Sequence, residues 1–220
     1  MLVTGFGPFG TVEENPSAIL ARELDPEASV LRVSWREAAE FARRRPGATV
    51  LALGVAVGRT EPTYELFGHN AADPRPDVDG AVWPLREIVP GGADALGATF
   101  LTASELSGLK MRASYTPGGY LCNFLLYRLL WELRGTGARV GFVHVAPFEA
   151  CARELQLEAL RGLIGLVGSA PASVSDSSAM NPSMESSSPT GQSSNGPVSV
   201  RSREPIRHSP ETTEPSQTPR

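Results

Sequence analysis

Three side chains have types that could share one reaction: Cys122, His144 and Glu65. Cys122 lies in the stretch Ser114-Tyr115-Thr116-Pro117-Gly118-Gly119-Tyr120-Leu121-Cys122-Asn123, ahead of the apolar run Phe124–Trp131. A strand-like piece ends in Pro-Gly-Gly and a helix starts within a few residues, which puts the thiol at the helix's first turn. Unpaired N–H groups and the positive end of the dipole act there. They give the thiol a reason to ionise, and the thiolate is the nucleophile. The plainer alternative is a small buried hydrophobe. His144, in Gly141-Phe142-Val143-His144-Val145, is the best placed of the chain's three histidines to serve as a base. It stands near the end of a strand, where α/β folds build sites; a satisfied structural histidine is the alternative. Glu65 stands among Tyr64, Leu66 and Phe67. If buried there its carboxylate needs a partner, and an imidazolium would serve; otherwise it is an exposed strand carboxylate.

The elements that must position these groups alternate along the chain. Met1–Thr4 reads as a buried strand, followed by a helix with Asn15 as N-cap and Pro16 at its first position. Ser29–Val33 is a strand, and Ser34 with Glu37 forms a capping box for a helix ending at Arg43–Arg45. The apolar run Thr49–Val57 marks a strand buried on both faces. Shorter strands are expected at Tyr64–Ala71, Ala81–Ile88 and Leu109–Tyr115. A helix over Cys122–Arg134, a buried strand over Val140–Val145 and a helix over Glu149–Val167 complete the series. The last helix shows Ala152, Leu155, Ala159, Leu163 and Leu166 on one face. The expectation is a single three-layer α/β/α domain over residues 1–168 with a mainly parallel, twisted sheet.

Beyond Gly168 the composition changes to Ser, Pro, Thr, Asn and Gln, with no aromatic residue and no leucine as far as Arg220. Residues 169–220 therefore read as a disordered tail. With 20 Lys+Arg against 24 Asp+Glu, the chain has no basic footprint for nucleic acid. Two cysteines make no disulfide framework, and no apolar run reaches the length of a membrane span. The opening residues carry no secretory pattern. A cytoplasmic protein, with neither nucleic acid nor membrane as partner, is the expectation. There is no CxxC, no HExxH and no histidine cluster, so no metal is expected.

Gly5-x-Gly7-x-x-Gly10 fits the dinucleotide-binding pattern only on paper. Pro8 and two phenylalanines fill the turn, and the helix starts only near Pro16, too late for the glycines to open it against a pyrophosphate. A loop that offers Phe6 and Phe9 to a flat, neutral group is the better account. Two phenylalanines tucked into the core would look the same at this level.

Four stretches together resemble the pyroglutamyl peptidase I (pyrrolidone-carboxylate peptidase) family. They are Thr4-Gly5-Phe6-Gly7-Pro8-Phe9-Gly10 with Asn15-Pro16-Ser17; Gly54-x-Ala56-x-Gly58-Arg59-Thr60 with Glu65, Gly68 and Asn70; Ser114 through Tyr127; and the strand around His144. The resemblance implies Cys122 as nucleophile, His144 as base and Glu65 holding the imidazole. It also implies Phe6 and Phe9 on either side of a pyrrolidone ring, Arg75 near the reacting centre and Asn15 tying the substrate-side loop. The family hydrolyses the bond after an N-terminal pyroglutamyl residue of peptides, needs no cofactor or metal, and commonly forms homotetramers. Val55, Val57, Leu66 and Pro117 depart from its usual pattern. A relative that binds such peptides without turnover and, more remotely, a nucleoside-handling enzyme on a similar fold are the alternatives.

Overall fold

The apolar run at 49–57 forms the middle of the sheet, and what surrounds it follows from alternation along each strand. The structure, a computed structural model, describes residues 1–45 and 47–169. The tail expected over 169–220 lies, apart from Ser169, outside the described residues. In chain order the elements are β1 (Leu2–Phe6), α1 (Pro16–Leu24), β2 (Ser29–Leu31), α2 (Trp35–Arg43), β3 (Val50–Val55) and β4 (Thr63–Glu65). They continue with β5 (Phe67–His69), β6 (Ala95–Gly97), β7 (Arg112–Ser114), α3 (Leu121–Leu133), β8 (Val140–Val145) and α4 (Arg153–Ser169).

The main sheet has the order β2-β1-β3-β8-β4-β7. All its pairings are parallel except β4 with β8. In β3, Val50 and Ala52 face one layer while Leu51 and Leu53 face the other, because successive side chains point to opposite sides. Val140 and Phe142 of β8 join the first set; Val143 and Val145 join the second. The first layer is α2 and α3, and the second is α1 and α4. The three-layer α/β arrangement is as expected, and β3 and β8 are buried on both faces, as continuous apolar runs in a parallel sheet should be.

Several local expectations are corrected. Ser34 is the N-cap of α2, but its side chain makes no capping bond to the backbone. Glu37 accepts from Arg32 N at 3.1 Å instead of closing a capping box. The carboxylate of Asp77, from a distant loop, takes the Trp35 N–H at 3.0 Å. Ala81–Ile88 is not a strand. Pro84 offers no N–H to a ladder, and backbone groups at its edges are met by loop partners, as in Ala72 N to Arg86 O and Val89 N to Asn70 Oδ1, both close. The small sheet pairs β5 with β6 instead. The last helix starts at Arg153, after a turn at 147–151, and buries Gln156, Leu157, Ala159, Leu160 and Leu163. Leu155 and Leu166, expected on its inner face, are exposed.

Candidate active site

Cys122 is the second residue of α3, which begins after Tyr120 as N-cap. That turn lies over the β3–β8 seam, where Gly54 pairs in register with His144. His144 is buried and Phe142 packs edge-on against its ring at 5.0 Å. Its Nδ1 meets Glu65 Oε1 at 2.8 Å, and Cys122 lines the same cleft, near enough for its charge to act on the imidazole. With Nδ1 engaged by the carboxylate, Nε2 is the nitrogen that remains for the sulfur.

Glu65 is fully buried. Burial alone would push its carboxyl up, but the hydrogen bond and charge of His144, with Ser114 and Arg59, hold it below its ordinary 4.5. Burial works to lower the His144 pKa. The charge and hydrogen bond of Cys122, reinforced by Glu65, overcome it and push the value up to about 9. A charged imidazole between a sulfur and a carboxylate is thus the state favoured at neutral pH.

A cleft of about 390 Å³ opens at this place. Phe6, Phe9, Asn15, Arg75, Cys122 and His144 all line it. Phe6, at the end of β1, is buried in the core and also contributes to the wall, so both readings of that residue hold. Phe9 is half-buried beside it, its backbone paired with Val12 across a tight turn at Gly10 (φ 53°). Asn15 fastens this loop from within: Nδ2 donates to Gly7 O at 2.9 Å, and Oδ1 accepts from the Ser17 N–H at 3.0 Å and from its hydroxyl at 2.8 Å. Those bonds occupy the amide, which makes Asn15 a fastener of the wall.

Arg75 is on the exposed rim, its guanidinium 4.6 Å from the centre of the Tyr120 ring. Its segment is bound to the turn before the thiol, since Asp73 N donates to Gly119 O at 2.7 Å. A Cβ on Gly119 would stand 2.3 Å from the Asp73 carboxylate, so a larger residue there would turn that exposed side chain aside. Val55, Val57 and Pro117 also line the cleft, whereas Leu66 is buried in the layer beneath α1 and α4.

Sequence reasoning gave no role to Arg59, Asn123 or Gln156. Arg59 Nη1 lies 2.8 Å from Glu65 Oε1. Asn123, buried next to the cysteine, accepts from His69 N and donates to the carbonyls of His69 and Ala71, each at 2.8 Å. Gln156 reaches back from α4 to clamp Ala146 N and O, just after His144, at 2.8 and 3.0 Å. Arg59 and Asn123 stand inside the quoted motifs, and that position was the available signal; Gln156 has none. A larger hollow of about 670 Å³, beside α2 and lined by Arg32, Trp35, Arg43 and Trp83, has no cysteine or histidine among the described residues of its wall. Among the described residues no group of three or more His, Cys, Asp or Glu is arranged to hold a metal ion.

A sulfur on a helix's first turn, an imidazole against it and a carboxylate behind the imidazole are the parts of a thiol-dependent hydrolase. Comparison with known proteins narrows the class. Residues 1–152 match the family model described as pyroglutamyl peptidase. The pyrrolidone-carboxylate peptidase of Coprothermobacter proteolyticus is 33% identical over 168 residues, covering 67% of this chain and 81% of the relative. That of Deinococcus radiodurans is 34% identical over 175 residues, covering 69% and 80%. Among solved structures, pyrrolidone carboxyl peptidase from Thermus thermophilus superposes with a TM-score of 0.65 at 37% identity, over 74% of this chain and 97% of that one. A mutant of the Pyrococcus furiosus enzyme gives 0.67 at 29% identity, over 76% and 96%. The chain belongs to the pyroglutamyl peptidase family. The family match ends at Ala152, so α4 and the Gln156 clamp lie beyond it.

Proposed function

We propose that this chain is a pyroglutamyl peptidase that removes an N-terminal pyroglutamyl residue from peptides through a thioester, with Cys122, His144 and Glu65 as its reacting and orienting groups. The observation that carries the reading is the 2.8 Å contact of the His144 imidazole with Glu65 Oε1 in the cleft that Cys122 also lines.

The Cys122 thiolate attacks the carbonyl that joins pyroglutamate to the next residue. First-turn N–H groups of α3 have no intrahelical acceptor and are suited to receive the developing oxyanion. As the tetrahedral carbon collapses, the C–N bond breaks and the leaving amine takes the His144 proton. Neutral His144 then removes a proton from water, the resulting hydroxide attacks the thioester, and the C–S bond breaks to return thiolate and imidazolium. Glu65 keeps Nδ1 occupied throughout, which fixes the tautomer and stabilises the charged ring.

Phe6 and Phe9 suit a flat, uncharged lactam ring, and a free amino terminus would lose its hydration there without gaining a carboxylate. Asn15 holds their loop, and Arg75 marks the opposite rim. The test is release of chromophore from a pyroglutamyl amide, with Cys122→Ser as control. Turnover by the native chain and none by the variant is expected. Activity that survives the substitution, or binding of pyroglutamyl peptides without turnover by the native chain, overturns the reading.

A further inference from the structure

Arg59 belongs to the loop between β3 and β4, and its guanidinium is three-quarters buried. That loop is itself fixed: Ala56 N donates to Val145 O at 3.0 Å, one residue past His144, and Arg59 N donates to Ala56 O at 3.0 Å. From this anchor the guanidinium reaches two places. Nη1 meets Glu65 Oε1 at 2.8 Å and the Thr63 hydroxyl. Nη2 meets Ser114 Oγ and Thr116 O, each at 3.3 Å. Ser114 is the register partner of Glu65 across the β4–β7 pairing. Thr116 opens the Pro117–Tyr120 turn that delivers Cys122 to the start of α3.

Building on the reading of Cys122, His144 and Glu65 above, we propose that Arg59 is a positioning residue for this reaction: one guanidinium keeps the buried Glu65 ionised and aligned toward His144, and also fixes the turn that carries the nucleophile.

The charges facing Glu65 define what Arg59 contributes. His144 approaches from β8 and Arg59 from the β3–β4 loop, while Ser114 on β7 offers only a hydroxyl. Cys122 stands behind the imidazole. Arg59 and protonated His144 are thus the two cationic partners of the Glu65 carboxylate. Without Arg59 the buried carboxylate keeps a single cationic partner, and its neutral form becomes easier to reach. A lysine could restore the charge but not the span, because a single ammonium cannot meet the carboxylate and both loop acceptors at once.

The experiment separates these parts. Glu65, followed by carboxyl-carbon NMR in glutamate-labelled protein, is expected to titrate at higher pH in Arg59→Gln than in the native chain, and close to native in Arg59→Lys. On a pyroglutamyl amide, Arg59→Gln is expected to lose kcat by about 10²-fold, the order that misplaced catalytic geometry costs. KM should change little, and the acid limb of the pH profile should move upward. Arg59→Lys is expected to keep the limb and recover part of kcat. In a Glu65→Gln background, Arg59→Gln should cost far less than it does alone. An unmoved Glu65 titration in Arg59→Gln, or losses that simply add in the double variant, overturns the proposal. The NMR measurement needs no substrate, so absence of pyroglutamyl hydrolysis would overturn the function reading and leave this test standing.

Discussion

Gly54 faces the Cys122 sulfur so closely that a Cβ on residue 54 would stand 2.8 Å from Sγ and 2.8 Å from the Phe142 ring. The sheet lacks a side chain at the one point where the nucleophile rests on it. Gly54→Ala is therefore expected to push the thiol away from His144. Overpacking of this kind costs about 1–3 kcal/mol in stability, and displacement of a reacting atom by about 1 Å costs on the order of 10² in rate. Comparison of kcat/KM with the urea midpoint of the variant checks this, since the rate loss should exceed what its unfolded fraction explains.

The two shifted groups give a stability profile with a defined sign. Glu65 is held below its ordinary 4.5, so its contribution is present above about pH 4.5 and is lost as the pH falls through the lowered native value. His144 is raised from 6.5 to about 9, so its contribution is present below pH 6.5 and is lost as the pH rises through about 9. Urea midpoints should be highest between these limits, with both flanks belonging to one coupled cluster. Cys122→Ser removes the sulfur charge, the largest influence holding the His144 proton in place. The alkaline flank should then move to lower pH; a flank that stays where it was would contradict the thiolate–imidazolium pairing.

Asn123 connects the nucleophile's helix to the segment that carries Arg75. Asn123→Ala leaves the N–H of His69 and the carbonyls of His69 and Ala71 without their buried partner. Each unsatisfied group of this sort costs about 1–3 kcal/mol. The expected outcome is a lower melting temperature together with a raised KM, because the 69–75 segment forms one rim of the cleft. Thermal melts and a substrate titration on the same preparation measure both.

Much of this was legible because it rests on local rules. Asn15 and Pro16 announce α1, the apolar runs announce β3 and β8, and the motif company of Cys122 points to His144 and Glu65, which the fold brings into contact. What escaped reading depends on distant partners. Ser34 and Glu37 have capping-box spacing, yet the cap of α2 comes from Asp77, more than forty residues away. Ala81–Ile88 has apolar residues, but no neighbouring strand offers it a ladder. Of the inner face expected for α4, Ala159 and Leu163 are buried, while Ala152, Leu155 and Leu166 are exposed. The helix turns Gln156 inward instead, because the backbone at Ala146 needs a donor and an acceptor. Arg59 was visible as a motif letter, but its role depends on a carboxylate and a turn that only the folded chain brings together.

The reversed strand β4 has a consequence of its own. Thr63 lies opposite His144 and Tyr64 opposite Val143, so running the register on by one places Glu65 against Phe142, diagonal to the histidine and one step deeper into the sheet. A parallel strand ending at that position would have delivered its last side chain toward the solvent mouth. Here the carboxylate comes up from below, beyond the reach of substrate or bulk water. A slip of one residue in this pairing would turn Glu65 into the hydrocarbon beneath α1 and α4 and bring Tyr64 under His144. The length of the 56–62 loop is for that reason as much a catalytic dimension as any distance in the cleft: an insertion there can disarm the histidine while leaving every reacting residue in the chain.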